Sequence, residues 1–307
     1  MNKNSRIFIV GHNDSIDNAL LSYFLDEGFK NVRSNNKDGL DILNQSKVGR
    51  FFNKEKPEYV FLGSIRSGGI VANQKHPAEF LYENVQAQSN VIHAAYLNAT
   101  KKLLYFTGSC AYPKQAKQPI RENSLLTGPL EETSEAYSVA KIAGTKMCQA
   151  YRAQYGFNAI VGVPATLYGP GSDANLETAH VMGALIAKFC KAVKDGDKET
   201  VVWGTGKPRR EFLYVDDFVR ACVLLMKNYD SPELINIGTG RDVTIKELAV
   251  TIARLSGFKG KINFDASKPD GTMRKLMDNS RLVTLGWKPR VDLGAGIRKT
   301  IQWYRKG

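Results

Sequence analysis

The sequence predicts an α/β protein with a doubly wound parallel sheet and a second, smaller domain towards its C-terminus. Through the first half of the 307-residue chain, apolar strands alternate with amphipathic helices. This alternation is typical of a parallel sheet that helices cover on both faces. The composition is that of a globular protein, because 43% of the residues are hydrophobic and 24% are charged. These proportions exclude disordered, collagen-like and coiled-coil chains.

The first half is predicted to open with an apolar strand at Arg6–Val10 and a helix at Ser15–Asp26. Apolar periodicity then distinguishes strands from helices. The predicted strands are a short one at Asn31–Ser34, a buried one at Tyr59–Leu62, and two more at Lys102–Thr107 and Ala159–Val163. The predicted helices are Pro77–Asn98 and the long Glu135–Tyr155. Ligands of such sheets bind beyond the carboxyl ends of the strands.

The loop at Tyr168–Thr178 is the predicted change of domain, because it is rich in glycine, proline and polar residues. After it, the sequence predicts a helix at Val181–Lys194 and a strand at Val201–Trp203. A loop and a terminal region with two further helices complete the chain.

The chain is strongly basic, since 43 lysines and arginines against 30 acidic residues give a net charge of +13. Such a field attracts anionic small molecules, although a solvated basic surface explains it equally well. The basic residues are spread along the chain without aromatic interleaving, so nucleic-acid binding is not favoured.

No apolar run reaches the roughly 18 residues that a membrane helix needs. The N-terminus leads straight into the first strand, so we expect no signal peptide. The four cysteines lie far apart and without metal-ligand spacing, which predicts a reduced, cytoplasmic setting and no metal site. They are Cys110, Cys148, Cys190 and Cys222.

The turn after the first strand departs from a phosphate-binding glycine loop. It begins at Gly11, but Asp14 and Asp17 stand where the second and third glycines of a dinucleotide-binding turn are expected. A carboxylate about 5 Å from a phosphate costs roughly 3 kcal/mol at an effective dielectric near 20. We therefore expect weak dinucleotide binding, or none. Alternatively, the two acids simply cap the helix, which stabilises it by about 0.3–1 kcal/mol each.

Basic residues follow the second strand, where an adenosine 2′-phosphate would lie. They are Arg33 and Lys37. Two exposed, uninvolved basic side chains remain the alternative.

A Tyr-x-x-x-Lys spacing lies on the long predicted helix, at Tyr137 and Lys141. Residues four apart share one face of a helix. A lysine ammonium beside a phenol favours the phenolate, which makes a tyrosine a usable proton donor or acceptor.

Long motifs resemble one enzyme family over almost the whole chain. They are Ser67–Asn73, Gly108–Pro113, Tyr137–Gly144, Leu167–Pro170, Leu176–Val181, Trp203–Asp217 and Lys268–Lys275. On these motifs the chain resembles the extended short-chain dehydrogenases/reductases and, within them, the GDP-L-fucose synthase family of GDP-4-keto-6-deoxymannose epimerase-reductases.

The resemblance implies a Rossmann-like fold and two chemistries in one pocket. The family epimerises C3 and C5 of a 4-keto sugar with a cysteine and a histidine, which correspond to Cys110 and His180. It then transfers hydride from NADPH to C4 while a tyrosine gives the proton, which assigns that step to Tyr137 and Lys141. Alternatively, Cys110 is a buried strand-end cysteine and His180 a loop histidine.

The resemblance also implies binding residues and an assembly. GDP contacts fall on Lys188, Trp203, Arg210 and Lys275, and domain-core packing is the alternative for Trp203. Cofactor contacts fall on Gly11, Asn13, Lys37, Lys141, Thr166 and His180. Residues 1–168 with 211–240 would form the dinucleotide-type domain, and 169–210 with 241–307 the nucleotide-sugar substrate domain. Family members are dimers in which the two long helices form a four-helix contact.

The chain departs from the family pattern on the dinucleotide and carbonyl side. Besides Asp14 and Asp17, Asn13 replaces a phosphate-binding arginine and Gly108 replaces a serine or threonine that holds the substrate carbonyl. Pro164-Ala165-Thr166 replaces Pro-Thr-Asn. Ser109 stays among the catalytic candidates as a neighbouring hydroxyl. Thr107 also flanks Gly108, but adjacent strand positions face opposite ways.

Three hypotheses follow. The protein is an NADPH-dependent epimerase-reductase on a GDP-sugar, an epimerase that has lost reduction, or a non-catalytic binding or scaffold protein that associates with a partner enzyme.

Overall fold

The computed structural model describes residues 1–11, 15–173, 179–268 and 270–306, with nothing said of the Ser15 side chain. Its strands are β1 (Arg6–Val10), β2 (Asn31–Ser34), β3 (Tyr59–Leu62), β4 (Lys102–Phe106), β5 (Ala159–Pro164), β6 (Thr166–Tyr168), β7 (Glu199–Trp203), β8 (Arg209–Tyr214), β9 (Ile235–Ile237), β10 (Asp242–Thr244), β11 (Lys261–Asp265) and β12 (Arg274–Lys275).

The helices follow the strands in chain order. They are α1 (Ser15–Asp26), α2 (Gln45–Glu55), α3 (Ile70–Lys75), α4 (Pro77–Leu97), α5 (Glu135–Tyr155), α6 (Val181–Asp195), α7 (Val215–Asn228), α8 (Ile245–Ser256), α9 (Ser280–Thr284) and α10 (Leu293–Tyr304). Short 3-10 turns cover Ser109–Ala111, Glu122–Ser124 and Glu132–Ser134.

Six parallel strands form the main sheet, in the order β2-β1-β3-β4-β5-β9. The order reverses beside β1, since β2 lies on one side of it and β3 on the other. Right-handed crossovers then place α1 on the opposite face from α2, α4 and α5. The predicted fold class, a doubly wound parallel sheet with helices on both faces, is confirmed. The gap between β1 and β3 is the switch point at which ligands of such sheets bind.

The chain leaves the main sheet directly after β5. β6 pairs with β8, which also pairs with β10 and β12, and β7 pairs with β11 in a separate two-stranded sheet. A second hydrophobic cluster lies under these smaller sheets and helices α6, α8 and α10. Met277 and Trp287 nevertheless pack with the cluster of the main sheet. The division into two domains stays a prediction.

The C-terminal part of the chain differs from the sequence prediction. Four helices, α7 to α10, follow β7 where two were predicted. α7 begins directly at the end of β8, so the apolar run of strand and helix gives no boundary in the sequence. α9 covers only five residues. The polar helix α2 also went unpredicted, because only Val48 and Phe52 of it are buried. No helix in the described part of the chain is long and apolar enough to cross a membrane.

A buried carboxylate attaches α7 to the C-terminal segment. Asp217 is 0% exposed and accepts hydrogen bonds from the backbone N–H groups of Arg290, at 3.0 and 3.1 Å, and of Val291, at 2.9 Å. The Arg220 guanidinium pairs with the same carboxylate. The charge is therefore neutralised and its lone pairs are occupied, which is what burial of an aspartate requires.

We expect Asp217→Ala to lower the free energy of unfolding by about 3 kcal/mol or more, because it leaves buried N–H groups and a cation without their partner. Asp216→Ala is the matched control, since Asp216 is the exposed neighbour in the same helical turn. Urea denaturation measures both. Equal stability of the two variants would contradict the assigned role.

Candidate active site

Lys141 lies at the centre of the site and is entirely buried. Its side chain is 0% exposed, and its ammonium lies 4.4 Å from the ring centroid of Tyr105. Among the described residues, this ammonium has no hydrogen-bond partner. Burial lowers the pKa of Lys141 to about 7, although the nearby thiols of Cys110 and Cys148 act in the opposite direction. Buried polar groups in proteins normally have a hydrogen-bond partner, so a polar group of a ligand would satisfy this ammonium.

Close packing between α5 and β4 brings Lys141 to this position. A Cβ at Gly144 would collide with the Tyr105 hydroxyl, so glycine is needed where helix and strand approach. The Lys141 carbonyl accepts from the hydroxyls of Thr145 at 2.9 Å and of Thr107 at 3.4 Å. These contacts explain why the predicted Tyr-x-x-x-Lys motif continues into a small residue.

Tyr137 lies one turn before Lys141 on the same helix face. Its hydroxyl is 2.7 Å from the Ser64 hydroxyl, and either oxygen can be the donor. The ring packs edge-on against Phe80, with centroids 6.0 Å apart. Ser64 was not predicted as a site residue, because it lies 73 residues away in sequence and belongs to no motif that we singled out.

Cys110 lies beside this group. It occupies the turn Ser109–Ala111 and is partly exposed. Its charge is close enough to act on Lys141, Tyr105 and Lys275. The structure therefore brings Cys110, Lys141 and Lys275 close to one another.

The hydroxyl that the family pattern places at position 108 is absent. A Cβ on Gly108 would lie 3.2 Å from the Cys110 sulfur, so the thiol packs closely over the glycine. Thr107 does not replace the missing group, because it is 3% exposed and its hydroxyl is directed to the Lys141 carbonyl. Ser109 lies partly exposed at the start of the turn, and its catalytic role stays a prediction.

His180 stands at the start of helix α6 as its N-cap residue and is exposed. The preceding segment, residues 174–178, lies outside the described residues. The pairing of His180 with Cys110 in acid–base chemistry, and its predicted contact with a cofactor, stay predictions.

The described part of the glycine turn is shaped by Asp17 and by two asparagines. The Gly11 N–H donates to the Asn35 side chain at 3.0 Å, and the Gly11 carbonyl accepts from Asn35 and Asn36. A Cβ on Gly11 would collide with the carboxylate of Asp17, which is 5% exposed. The space directly above Gly11 is therefore taken by an acidic side chain. Asn13 and Asp14 lie outside the described residues.

Other predicted cofactor contacts lie around the same sheet edge. Lys37 is exposed in the turn after β2, where its N–H donates to the Ser34 hydroxyl at 3.2 Å. The Arg33 guanidinium is engaged by Asp38 and Glu55 instead, at 3.0 and 3.3 Å. Thr166 opens β6, at the point where the chain leaves the main sheet.

An exposed aromatic ring with two cations forms a second group. Trp203 is 52% exposed, so core packing, the alternative for this residue, is wrong. The ammonium groups of Lys188 and Lys268 lie 5.9 and 5.5 Å from its ring centre. Lys188 also donates to the Val201 carbonyl at 2.6 Å. Such a ring can stack on a planar base while the cations attract phosphate.

Arg210 and Lys275 lie next to each other on paired strands, β8 and β12. Burial lowers the pKa of both, and the Glu131 charge partly offsets this. Asp270 joins this part of the chain to the Trp203 loop, because it accepts from the Thr205 N–H at 2.8 Å and from the Thr205 hydroxyl at 2.7 Å. In the described residues, no group of three or more potential metal ligands is arranged around one point.

A model of the NAD dependent epimerase/dehydratase family matches residues 7–238. GDP-L-fucose synthase 1 of Arabidopsis thaliana is 49% identical over 99% of this chain and 94% of its own length. A GDP-6-OMe-4-keto-L-xylo-heptose reductase of C. jejuni has the same fold, with TM-score 0.94 and 37% identity over 100% of this chain and 99% of that one. MlghC, a GDP-mannoheptose C4 reductase of Campylobacter jejuni with NADP bound, has TM-score 0.91 and 39% identity over 99% of both chains.

We expect Lys141→Met to stabilise the nucleotide-free protein, because it removes a buried charge without a partner. The pKa of Lys141 is near 7 in the folded state and near 10.5 in the unfolded state. Burial of the charged ammonium therefore destabilises wild type fully below pH 7, and this destabilisation disappears as the pH rises towards 10.5. The gain in free energy of unfolding should therefore be about 1–4 kcal/mol at pH 6.5 and smaller at pH 9.5.

Urea denaturation at the two pH values measures this difference. Lys146→Met, an exposed position on the same helix, is the control and should change little at either pH. A Lys141→Met variant that is less stable than wild type at pH 6.5 would show that the ammonium is held by favourable contacts.

Proposed function

This chain belongs to the NAD dependent epimerase/dehydratase family, and from that premise we propose that it is an NADPH-dependent epimerase-reductase of a GDP-4-keto sugar. The substrate we propose is GDP-4-keto-6-deoxymannose, which makes the protein a GDP-L-fucose synthase in activity. One observation supports this most directly. The buried Lys141 ammonium and the Tyr137 hydroxyl lie at the ends of β3 and β4, close to the Cys110 thiol.

The residues fit NADPH at its nicotinamide end. The unpartnered Lys141 ammonium is a donor that the ribose hydroxyls of a nicotinamide nucleotide would satisfy. The exposed Lys37 would meet the 2′-phosphate, and Thr166 would line the site from β6. The fit is poorer above Gly11, where the Asp17 carboxylate must move or tolerate a neighbouring phosphate.

Epimerisation needs a base and an acid on carbons next to the keto group. We assign the base to Cys110, which removes a proton from C3 or C5, and the acid to His180, which returns a proton to the opposite face. Electrons from the broken C–H bond move to the C4 oxygen as an enolate, which Tyr137 stabilises by a hydrogen bond.

Reduction follows at C4 of the epimerised sugar. When bound, NADPH supplies the hydride. Tyr137 gives its phenolic proton to the C4 oxygen as the carbonyl becomes an alcohol. The Lys141 charge favours the phenolate that remains.

We assign the contacts of the GDP part to one aromatic ring and three cations. Trp203 stacks on the base, while Lys188, Arg210 and Lys275 neutralise the diphosphate. The +13 net charge favours this anionic substrate over a neutral sugar.

We further propose a homodimer through α4 and α5, which pack together as a pair. Exposed apolar side chains on these helices support this face as an interface. They are Leu81, Tyr82, Leu97, Val139 and Tyr155. Free cysteines suit a cytoplasmic setting. The division into residues 1–168 with 211–240 and 169–210 with 241–307 remains part of the proposal.

A second candidate function is epimerisation without reduction, and the Asp17 carboxylate above Gly11 favours it. Two readouts separate the candidates when the protein is mixed with GDP-4-keto-6-deoxymannose. NADPH oxidation follows reduction, and deuterium uptake from solvent at C3 and C5 follows epimerisation. Exchange without oxidation would identify the epimerase, and absence of both would leave the binding or scaffold protein.

We expect Cys110→Ala to abolish deuterium exchange, because it removes the base. Tyr137→Phe should lower NADPH oxidation at least about a hundredfold, because it removes the proton donor, while some exchange persists. Mass spectrometry and absorbance at 340 nm measure the two steps. Undiminished exchange by Cys110→Ala would contradict the assignment.

We expect Asp17→Asn to tighten NADPH binding by up to about a hundredfold, since it removes a charge worth roughly 3 kcal/mol against a phosphate at about 5 Å. Asp26→Asn, at the exposed end of the same helix, is the control and should leave the dissociation constant unchanged. NADPH fluorescence titration measures both. If Asp17→Asn binds NADPH no more tightly than wild type does, the proposed repulsion between this carboxylate and the cofactor phosphates is wrong.

A further inference from the structure

Ser64 places a hydroxyl at the reacting end of the site, and it belongs to none of the family motifs. It follows β3 by two residues and lies 2.7 Å from the Tyr137 oxygen. Both hydroxyls are in a partly buried environment, where a hydrogen bond is stronger than in water. The contact therefore bears directly on the group that gives up its proton.

The neighbouring strand explains why a hydroxyl at this place matters. β3 and β4 are adjacent and parallel, with Leu62 paired to Tyr105. Ser64 and Gly108 therefore follow the carboxyl ends of neighbouring strands, at one edge of the sheet. At position 108 the side chain is missing, and the Cys110 sulfur occupies the space beside it.

Thr107, which precedes Gly108, has another hydrogen-bond partner. Its hydroxyl donates to the Lys141 carbonyl at 3.4 Å. The site thus has a hydroxyl after β3 and no side chain at position 108 after β4.

We propose that Ser64 is a positioning residue for Tyr137, which holds the phenolic oxygen in place at the edge of the sheet where position 108 carries no hydroxyl. This inference rests on the proposed function for its kinetic part. As Tyr137 gives its proton to the C4 oxygen, the Ser64 O–H donates to the phenolate that forms, and its own O–H bond stays intact. Tyr137 then recovers a proton from solvent. A hydroxyl suits this because it rotates freely to donate or accept.

The direct test observes Tyr137 in the nucleotide-free protein and needs no activity. The protein is labelled at the Cζ carbon of tyrosine, and the signal that Tyr137→Phe removes is assigned to Tyr137. Tyr105 on β4 is electrostatically coupled to this phenol. Lys141 and Cys110 lie in the same group around Tyr105, and all three residues remain in the variants.

We expect Ser64→Ala to raise the midpoint of the Tyr137 titration by roughly one pH unit, because the phenolate loses a donor. Ser64→Thr keeps the hydroxyl and should restore the midpoint. Ser256→Ala is the matched control, since it removes a hydroxyl that is 2% exposed and bonded at 3.0 Å to a carbonyl in α8. An unchanged midpoint in Ser64→Ala would overturn the proposal.

The kinetic test uses NADPH and GDP-4-keto-6-deoxymannose. Ser64→Ala should lower kcat for NADPH oxidation about ten- to a hundredfold while KM for the sugar changes less than about twofold, and deuterium exchange should be less affected. Adding Gly108→Ser to Ser64→Ala should recover part of kcat. If wild type is active and Ser64→Ala matches Ser256→Ala or exceeds wild type, this inference fails and the proposed function stands. If wild type is inactive, the proposed function fails and the titration alone decides.

Discussion

The site depends on one costly arrangement, which is an ammonium group buried without a hydrogen-bond acceptor among the described residues. Lys141 loses its hydration on burial. Among the described residues, its ammonium lies over the face of the Tyr105 ring and interacts electrostatically with the thiols of Cys110 and Cys148. Proteins keep such groups where chemistry needs them, and the surrounding fold must supply the stability. Here the six-stranded sheet and the tight contact of Gly144 against Tyr105 supply it. The position of Tyr137 follows, because it lies one turn before Lys141 on the same helix.

The predicted site has one end with a negatively charged side chain and one end with positively charged side chains. The end near the glycine turn carries the Asp17 carboxylate, which faces the backbone that a pyrophosphate would approach. The other end carries Lys188 and Lys268 beside an exposed indole, and Arg210 and Lys275 lie next to each other on paired strands. A phosphate near the indole would therefore meet cations, whereas a phosphate near Gly11 would meet a carboxylate. This asymmetry is a property of the individual side chains, since the backbone fold is shared with proteins that bind NADP.

Local spacing predicted those parts of the site that lie on one element. Tyr137 and Lys141 are four residues apart on a helix, so their shared face follows from helix geometry. The parallel sheet followed from the alternation of strands and helices. Ser64 could not be found in this way, because its partner is brought to it by tertiary folding. The exposure of Trp203 was equally hidden, since an aromatic residue at the end of an apolar strand is compatible with a core or a surface. Two of the four C-terminal helices were missed. The apolar face of α7, for example, continues that of β8 without a break in the sequence.

Asp270 has a consequence for how the nucleotide end can vary. Its carboxylate holds both the N–H and the hydroxyl of Thr205, and Gly204 leaves room for it where a larger residue would collide. The indole of Trp203 and the segment that begins with Lys268 are thereby tied together, although 65 residues separate them in the chain. Replacing either loop by one that lacks Thr205 or Asp270 would break this link, so the two segments can be exchanged only as a matched pair.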